Sequence, residues 1–438
     1  MGNFDFLKLD RDLRSTARRS RSFQRELRQG ELPFDPYEAT RWVSTLETFS
    51  EVSAAPTDPV LTAARRWIYR LAEQRINHNT LVGLEYGYRG VPQAFDEPER
   101  NRLSLQQIFQ QILLDDARRP GWVRTFTQTS REQSMQHQLL WERRREIAVR
   151  MQVENPASIE GCGIDILPLA EQWLEATQHI WEVFKKPRLS EYVSSTLGKQ
   201  AHAGWPARLT LPALLDWFRT GHLFTSLALD PGPFPQALGA SSYLRGMARL
   251  GASFVDATAP RDQPFVMTHD PYGLKRRTFG AFFGTLLATP AFLKHSLDLS
   301  PRTIRAHRQA LSLTLLAYSR ALAFAIVLRP LALSGPRALG HKIEDLAYDT
   351  LGFPLKLDAF GASFRLHVDD AQRFSGLLLG HRKLLQMIEL HNDDFFRNPK
   401  AIDQLRSEAP RVPETETDVE SLQEGARLLL RSLAEALD

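Results

Sequence analysis

Apolar residues recur three and four positions apart along most of the chain, and no series of short alternating segments joined by hairpin turns interrupts them. That period predicts an all-α fold: a large multi-helix protein of two packed helical units with no significant sheet. Asp58-Pro59 opens one helix, because the carboxylate can accept from free first-turn amides and proline needs no donor there. Its apolar stripe is Leu61, Ala64, Trp67, Ile68, Leu71 and Ile76, with Arg65, Arg66, Arg70 and Glu73 off the stripe. Ser104 is placed to cap Leu105 to Leu114, which stops before Pro120-Gly121. From Ser130 to Gln152 the pattern predicts a polar helix with a thin seam of Met135, Leu139, Glu142, Glu146 and Val149, lying on the surface or bridging two units.

Further helices are expected over 167–184, 188–201, 210–219, 335–350, 369–395 and 398–407. A last amphipathic helix runs from Val419 to Leu437, with Leu422, Ala426, Leu429, Leu430, Leu433 and Leu437 on one face. The two strongest apolar runs are Phe279 to Leu293 and Leu311 to Leu328, and the second approaches membrane-spanning length. Pro290 interrupts the first, and Arg320 near the middle of the second would cost about 2.5–3.5 kcal/mol at a bilayer centre, so both read as buried core helices. The expected division is an N-terminal helical domain, 1–255, with a basic first helix, and an apolar C-terminal helical domain, 275–408. The amphipathic helix 419–438 follows an acidic, proline-containing linker from Pro410 to Asp418. The boundary between the two domains falls in the loop from Asp256 to Gly273.

A chain of 438 residues, 43% hydrophobic and 24% charged, has enough apolar material for two cores, since single cores stop growing near roughly 250–300 residues. The one cysteine, Cys162 between Gly161 and Gly163, excludes a disulfide framework and a cysteine-rich metal site, and it fits a reducing compartment. With no apolar secretory segment at the start, the cytoplasm is the expected location. The net charge of +4 is carried mainly by arginine, and basic density peaks at Arg11, Arg14, Arg18, Arg19, Arg21 and Arg25. This face can meet phosphates or an acidic protein surface, although Asp10, Asp12 and Glu26 intermix with it as on any solvated helix.

The chain contains no His-Glu-x-x-His, no phosphate-binding Gly-x-x-x-x-Gly-Lys-Ser/Thr, no Gly-x-Ser-x-Gly elbow and no dinucleotide fingerprint. What remains is histidine near acid. His341 and Glu344 lie three apart on a helix and can face one metal, while His381 and His391 lie near Glu389, Asp393 and Asp394. Neither group supplies a full set of ligands by spacing. Leu379-Gly380-His381-Arg382 resembles the Leu-Gly-His segment of tyrosine recombinases. Glu389 stands before His391 where that family would present its nucleophilic tyrosine, which removes the covalent route.

His269-Asp270-Pro271-Tyr272-Gly273 reads as a β-turn leading into a helix that begins with Lys275, Arg276 and Arg277. His269 paired to Asp270 is a candidate general base with Tyr272 beside it. The three cations with free helix amides are a candidate anion site. The plainer alternative is a capped turn with its cations in solvent. Phe395-Phe396, between acids and Arg397, reads as an anchor for the following helix. Cys162 is a candidate nucleophile without an identifiable histidine partner.

The absence of every strong enzyme motif leans the reading toward a non-catalytic scaffold or adaptor that binds other protein subunits in a complex and needs no cofactor. A helical enzyme, by architecture a degenerate relative of the large α-helical metallopeptidases without their zinc motif, is the first alternative. Nucleic-acid binding through the arginine-rich first helix is the second, and membrane contact is not expected.

Overall fold

The computed structural model describes residues 5–29, 34–55, 58–89, 103–115, 117–160, 164–186, 188, 191, 216, 227, 240–260, 262–409 and 418–438. Among them every regular element is helical and there is no strand, so the all-α reading stands. The longer helices are α1 (Phe6–Gln29), α2 (Leu46–Ala54), α3 (Pro59–Ile76), α4 (His78–Arg89), α5 (Leu105–Leu114) and α6 (Arg119–Thr129). They continue with α7 (Arg131–Arg150), α8 (Leu167–Ala176), α9 (Gln178–Phe184), α10 (Ala240–Thr258) and α11 (Leu274–Leu286). The remainder are α12 (Pro301–Ser334), α13 (Pro336–Leu351), α14 (Asp370–His391), α15 (Pro399–Glu408) and α16 (Val419–Leu437). All but residues 188, 191 and 216 of the helices expected over 188–201 and 210–219, together with Cys162 and most of the linker before α16, lie outside the described residues.

Local chemistry fixes several helix starts where the sequence places them. Asp58 Oδ1 accepts from the amides of Val60 at 2.6 Å and Leu61 at 3.4 Å, and Ser104 with Gln107 forms a reciprocal capping box at the head of α5. Asn398 accepts from the Lys400 amide at 3.0 Å and Asp418 from the Ser421 amide at 2.6 Å, opening α15 and α16. Far from its own helix start, Asp10 of α1 accepts from the amides of Phe265 and Val266, both at 3.0 Å. The basic first helix is therefore docked by an acid against a segment more than half the chain away.

The largest core forms around α10, α11, α12, α14 and α16 and is rich in phenylalanine, with Phe254, Phe279, Phe282 and Phe283 fully enclosed. Phe395 and Phe396 plug into it, 5.9 Å from the Phe282 ring and 5.3 Å from the Phe292 ring respectively. α11 lies between α10 and α14 and touches α10 backbone to backbone. A Cβ on Gly251 would stand 2.3 Å from the Gly280 amide nitrogen, and one on Gly280 would stand 2.8 Å from Ala248 Cα. No rotamer change relieves either contact. Gly251→Ala is therefore expected to destabilise by about 2 kcal/mol through forced helix separation, read as a lower urea midpoint. An unchanged midpoint would show that α10 and α11 slide freely.

Two sequence readings need correction. The apolar run from Phe279 is not one helix to Leu293: α11 ends at Leu286, and a separate short helix, Pro290–His295, starts with proline at its first position, where no amide donor is needed. In α7 the inward face is not the expected seam. Met135, Leu139 and Val149 are 58%, 49% and 71% exposed, while Gln133, Ser134, His137, Leu140, Trp141, Arg144, Ile147 and Ala148 are buried. The buried stripe of α7 is half polar, so apolar period alone selects the wrong side.

α12 is long and apolar enough to cross a membrane by length and composition, and 78% of its most apolar window is buried inside the chain. Arg320 sits near its middle with no exposed surface. Its guanidinium donates to the carbonyls of Thr350 at 2.7 and 3.0 Å and of Leu174 at 2.8 Å. It also donates to Thr177 Oγ1 at 2.6 Å and Gln178 Oε1 at 2.7 Å, and it lies over the Trp181 ring. This one side chain ties α12 to α8, α9 and the end of α13.

Candidate functional site

Arg66, Arg70 and Glu73 follow one another at helical spacing on α3, and the structure turns that side inward, with Arg66 and Glu73 buried. Glu73 is 2% exposed and is held from two sides, by Arg70 Nη1 at 2.7 Å and by Arg144 Nε of α7 at 2.6 Å. Burial alone would raise its carboxyl, but Arg144 and Arg70 outweigh that and keep it below the ordinary carboxylate range. Arg66 donates to the Ile159 carbonyl at 2.9 Å and pairs with Asp270 Oδ1 at 3.0 Å. Arg329 of α12 pairs with Glu160.

A second set of pairs stands at the head of α14. Asp369 Oδ2 takes Arg277 Nη2 at 2.5 Å and Arg373 Nε at 3.1 Å, and Arg373 Nη1 reaches Asp370 Oδ1 at 3.6 Å. Burial pushes Asp369 upward, but Arg277 and Arg373 override it and hold it far below the usual range. Asp370 goes the other way, to about 7, because burial and the adjacent Asp369 charge outweigh Arg373. The nearby imidazoles are neutral: burial, then Arg373, lowers His367 to about 3, and burial, then Arg365 and Arg144, takes His137 well below its ordinary value. His137 Nε2 is an acceptor, taking the Leu366 amide at 3.1 Å and the Trp141 indole N–H at 3.3 Å.

Aromatic faces line the cluster. Arg144 and Arg329 both lie over Trp141, at 4.5 and 5.6 Å, and Arg66 and Arg70 over Tyr272, at 5.5 and 5.7 Å. Chemically, four of the five carboxyls, Glu73, Glu160, Asp270 and Asp369, are committed to arginine. Asp370 is the group able to exchange a proton near neutrality. Its folded value of about 7 lies above an unfolded value of roughly 3.9. The stability it contributes is therefore present in full below about pH 4 and is lost as pH rises through 7. Asp370→Asn is expected to stabilise the chain more at pH 8 than at pH 5, by about 2 kcal/mol. Thermal melts at the two pH values check this, and equal gains at both would refute it.

The structure disperses the residues singled out from sequence. Asp270 caps α11, its Oδ2 accepting from the Leu274 amide at 2.8 Å and its Oδ1 from the Tyr272 amide at 3.2 Å. His269 does not pair with it. Its Nδ1 bonds to Thr268 Oγ1 at 2.8 Å, its ring stacks on Phe265, and burial followed by Arg276 lowers it to about 4. Lys275 is buried over Phe279, Arg276 pairs with Asp256 at 2.6 Å and Arg277 with Asp369, so these three cations do not face one ligand.

His341 and Glu344 lie on the exposed face of α13, whereas His381 is buried against Ser432 Oγ at 2.9 Å and His391 bonds to Gln404 Oε1 at 2.8 Å. The four are not brought together. Among the described residues no three His, Cys, Asp or Glu side chains converge as metal ligands. On α1, Arg14 lies over Phe265, Arg19 donates to the Asp35 and Pro36 carbonyls and Arg21 pairs with Asp256. Arg11 and Arg18 are exposed, and the side chain of Arg25 lies outside the described residues.

Glu73, Arg144, Glu160, Arg329, Asp369, Asp370 and Arg373 were not singled out by sequence reasoning. The one available signal was Asp369-Asp370 followed by Arg373 one helical turn on.

No family model matches the chain, and no curated protein matches it. A solved structure does, that of a Pyrococcus furiosus carboxypeptidase in its apo-Mg form. The fold resembles the fold of that protein. The TM-score is 0.58 over 98% of this chain and 99% of the other, at 10% sequence identity. Likeness at that identity is a statement about architecture, and it covers nearly the full length of both chains.

Proposed function

We propose that this chain is a non-catalytic α-helical adaptor of the cytoplasm, built on a carboxypeptidase-like fold and binding other protein subunits in a complex. The observation that carries the reading is the commitment of the interior acids. Glu73, Glu160, Asp270 and Asp369 each sit in an arginine ion pair, which engages the carboxylate oxygens that a metal would need. The chain also has no His-Glu-x-x-His. The charge cluster then serves to lock α3, α7, α12 and α14 in one arrangement that partners can recognise.

The test is peptide hydrolysis by the purified full chain, with and without added zinc, alongside native mass measurement of the complex it forms in its own cell. No release of amino acids above background, together with a stoichiometric protein partner, supports the adaptor. Zinc-dependent release overturns it. The enzyme reading keeps one specific support, a buried carboxyl titrating at about 7 in Asp370, since acid–base groups are tuned toward working pH. Activity with a midpoint near pH 7 that Asp370→Asn abolishes would favour it.

A further inference from the structure

Among the described residues, large apolar side chains that stand in solvent occur singly on the other helices, as Leu7 on α1, Ile76 on α3 and Leu390 on α14 do. α7 exposes three, Met135, Leu139 and Val149. With Glu142 and Glu146 they occupy positions spaced alternately by four and three along α7, the spacing of a seam between two helices. The opposite side of α7 packs against α4, α12 and residues 357–363, so the seam faces outward. Exposed charges flank it, Glu132, Arg143 and Arg150 on one side and Arg145 on the other. Glu132 and Arg150 are eighteen positions apart, five full turns, and therefore share one flank. Arg143 on that flank is steadied by donating to Thr80 Oγ1 at 2.6 Å.

We propose that the outer face of α7 pairs antiparallel with α7 of a second copy of this chain, about a two-fold axis near Glu142. The pattern along the helix is complementary to its own reverse. In an antiparallel pair like flanks face each other, and the numbers of opposed residues keep a nearly constant sum. One register then brings Met135 to Val149 of the second copy, Leu139 to the methylenes of its Glu146, Glu132 to its Arg150 and Glu142 to its Arg143. Two-fold symmetry makes each of these contacts twice. A parallel pair would set Glu142 and Glu146 each against its own copy and bring Arg150 toward Arg145. The antiparallel pair opposes only Glu142 to itself, with an Arg143 side chain from each copy beside it. One helix from each copy makes a small interface, so the association is weak and reversible. This pairing does not depend on the adaptor reading and would hold equally for an enzyme.

Sedimentation velocity of the full chain over about 1–200 µM tests the inference, and the expected result is a reversible shift from monomer to dimer within that range. Leu139→Lys, which puts a charge in the seam, should weaken the dimer about tenfold or more. Arg150→Glu should weaken it about fivefold, because two facing pairs turn repulsive, and Glu132→Arg added to Arg150→Glu should restore it. All three positions are exposed, and circular dichroism checks that each variant keeps its helix content. A monomer at every concentration overturns the inference, as does a dimer unchanged in Leu139→Lys, or a double charge reversal that recovers nothing. A monomeric chain from whose native complex Leu139→Lys removes a different protein also overturns it, and gives the seam to that protein.

Discussion

Glu73→Gln is expected to cost about 3–5 kcal/mol of folding stability, the range for removing one partner of a buried ion pair. The large value follows from geometry: one carboxylate compensates two guanidinium groups, Arg70 at 2.7 Å and Arg144 at 2.6 Å, and neither has another acid so close. Glutamine keeps the shape and one acceptor oxygen but no charge. The double exchange Glu73→Gln with Arg144→Met should recover part of the loss, because it also removes a cation that no longer has a counter-charge. Urea unfolding of the two variants checks both statements. A single-variant loss under about 1 kcal/mol would mean that water reaches Glu73 freely.

Arg320→Leu is expected to lose about 3–5 kcal/mol as well, for a different reason. No carboxylate is involved. The guanidinium satisfies the carbonyls of Thr350 and Leu174, the Thr177 hydroxyl and the Gln178 amide oxygen in a place without solvent. Leucine leaves the Thr350 carbonyl without the guanidinium and detaches α12 from α8, α9 and α13. In a bilayer-spanning helix the same exchange would be favourable, since it trades a charge for an apolar side chain. Thermal melting of the soluble variant therefore separates the two environments: a large drop fits a helix packed in protein, and a rise fits one packed in lipid.

The helices were legible because their signals are local. Asp58 and Ser104 each read as a cap within three residues of the amide they bind, and apolar period carried most of the rest. α7 was misread for a physical reason: its inward face holds Gln133, His137 and Arg144, so the contrast between its two sides is small and the exposed Met135, Leu139 and Val149 mimic a seam. The central cluster was illegible for the same reason. Arginine and glutamate off an apolar stripe are ordinarily solvated, and only the meeting of α3 with α7 and the turn at Asp270 makes Arg66 and Glu73 interior. Conversely, the Lys275-Arg276-Arg277 run looked like one anion site, but consecutive helical positions point about 100° apart and find three different partners.

The ion pairs of the interior join segments far apart in the chain. Arg144 and Glu73 are 71 residues apart, Arg277 and Asp369 are 92 apart, Arg66 reaches the Ile159 carbonyl across 93, and the neighbouring Trp67 indole reaches the His269 carbonyl across 202. Each charge must leave water before its counter-charge arrives unless these loops close together, and loop closure is entropically costly ahead of the contact that rewards it. Folding of this interior should therefore be late and concerted, with helices formed early and the arginines entering only as α3, α7 and α14 dock. A chain arrested before that step would display these arginines and their acids together on the outside, a surface of mixed charge that the native protein conceals.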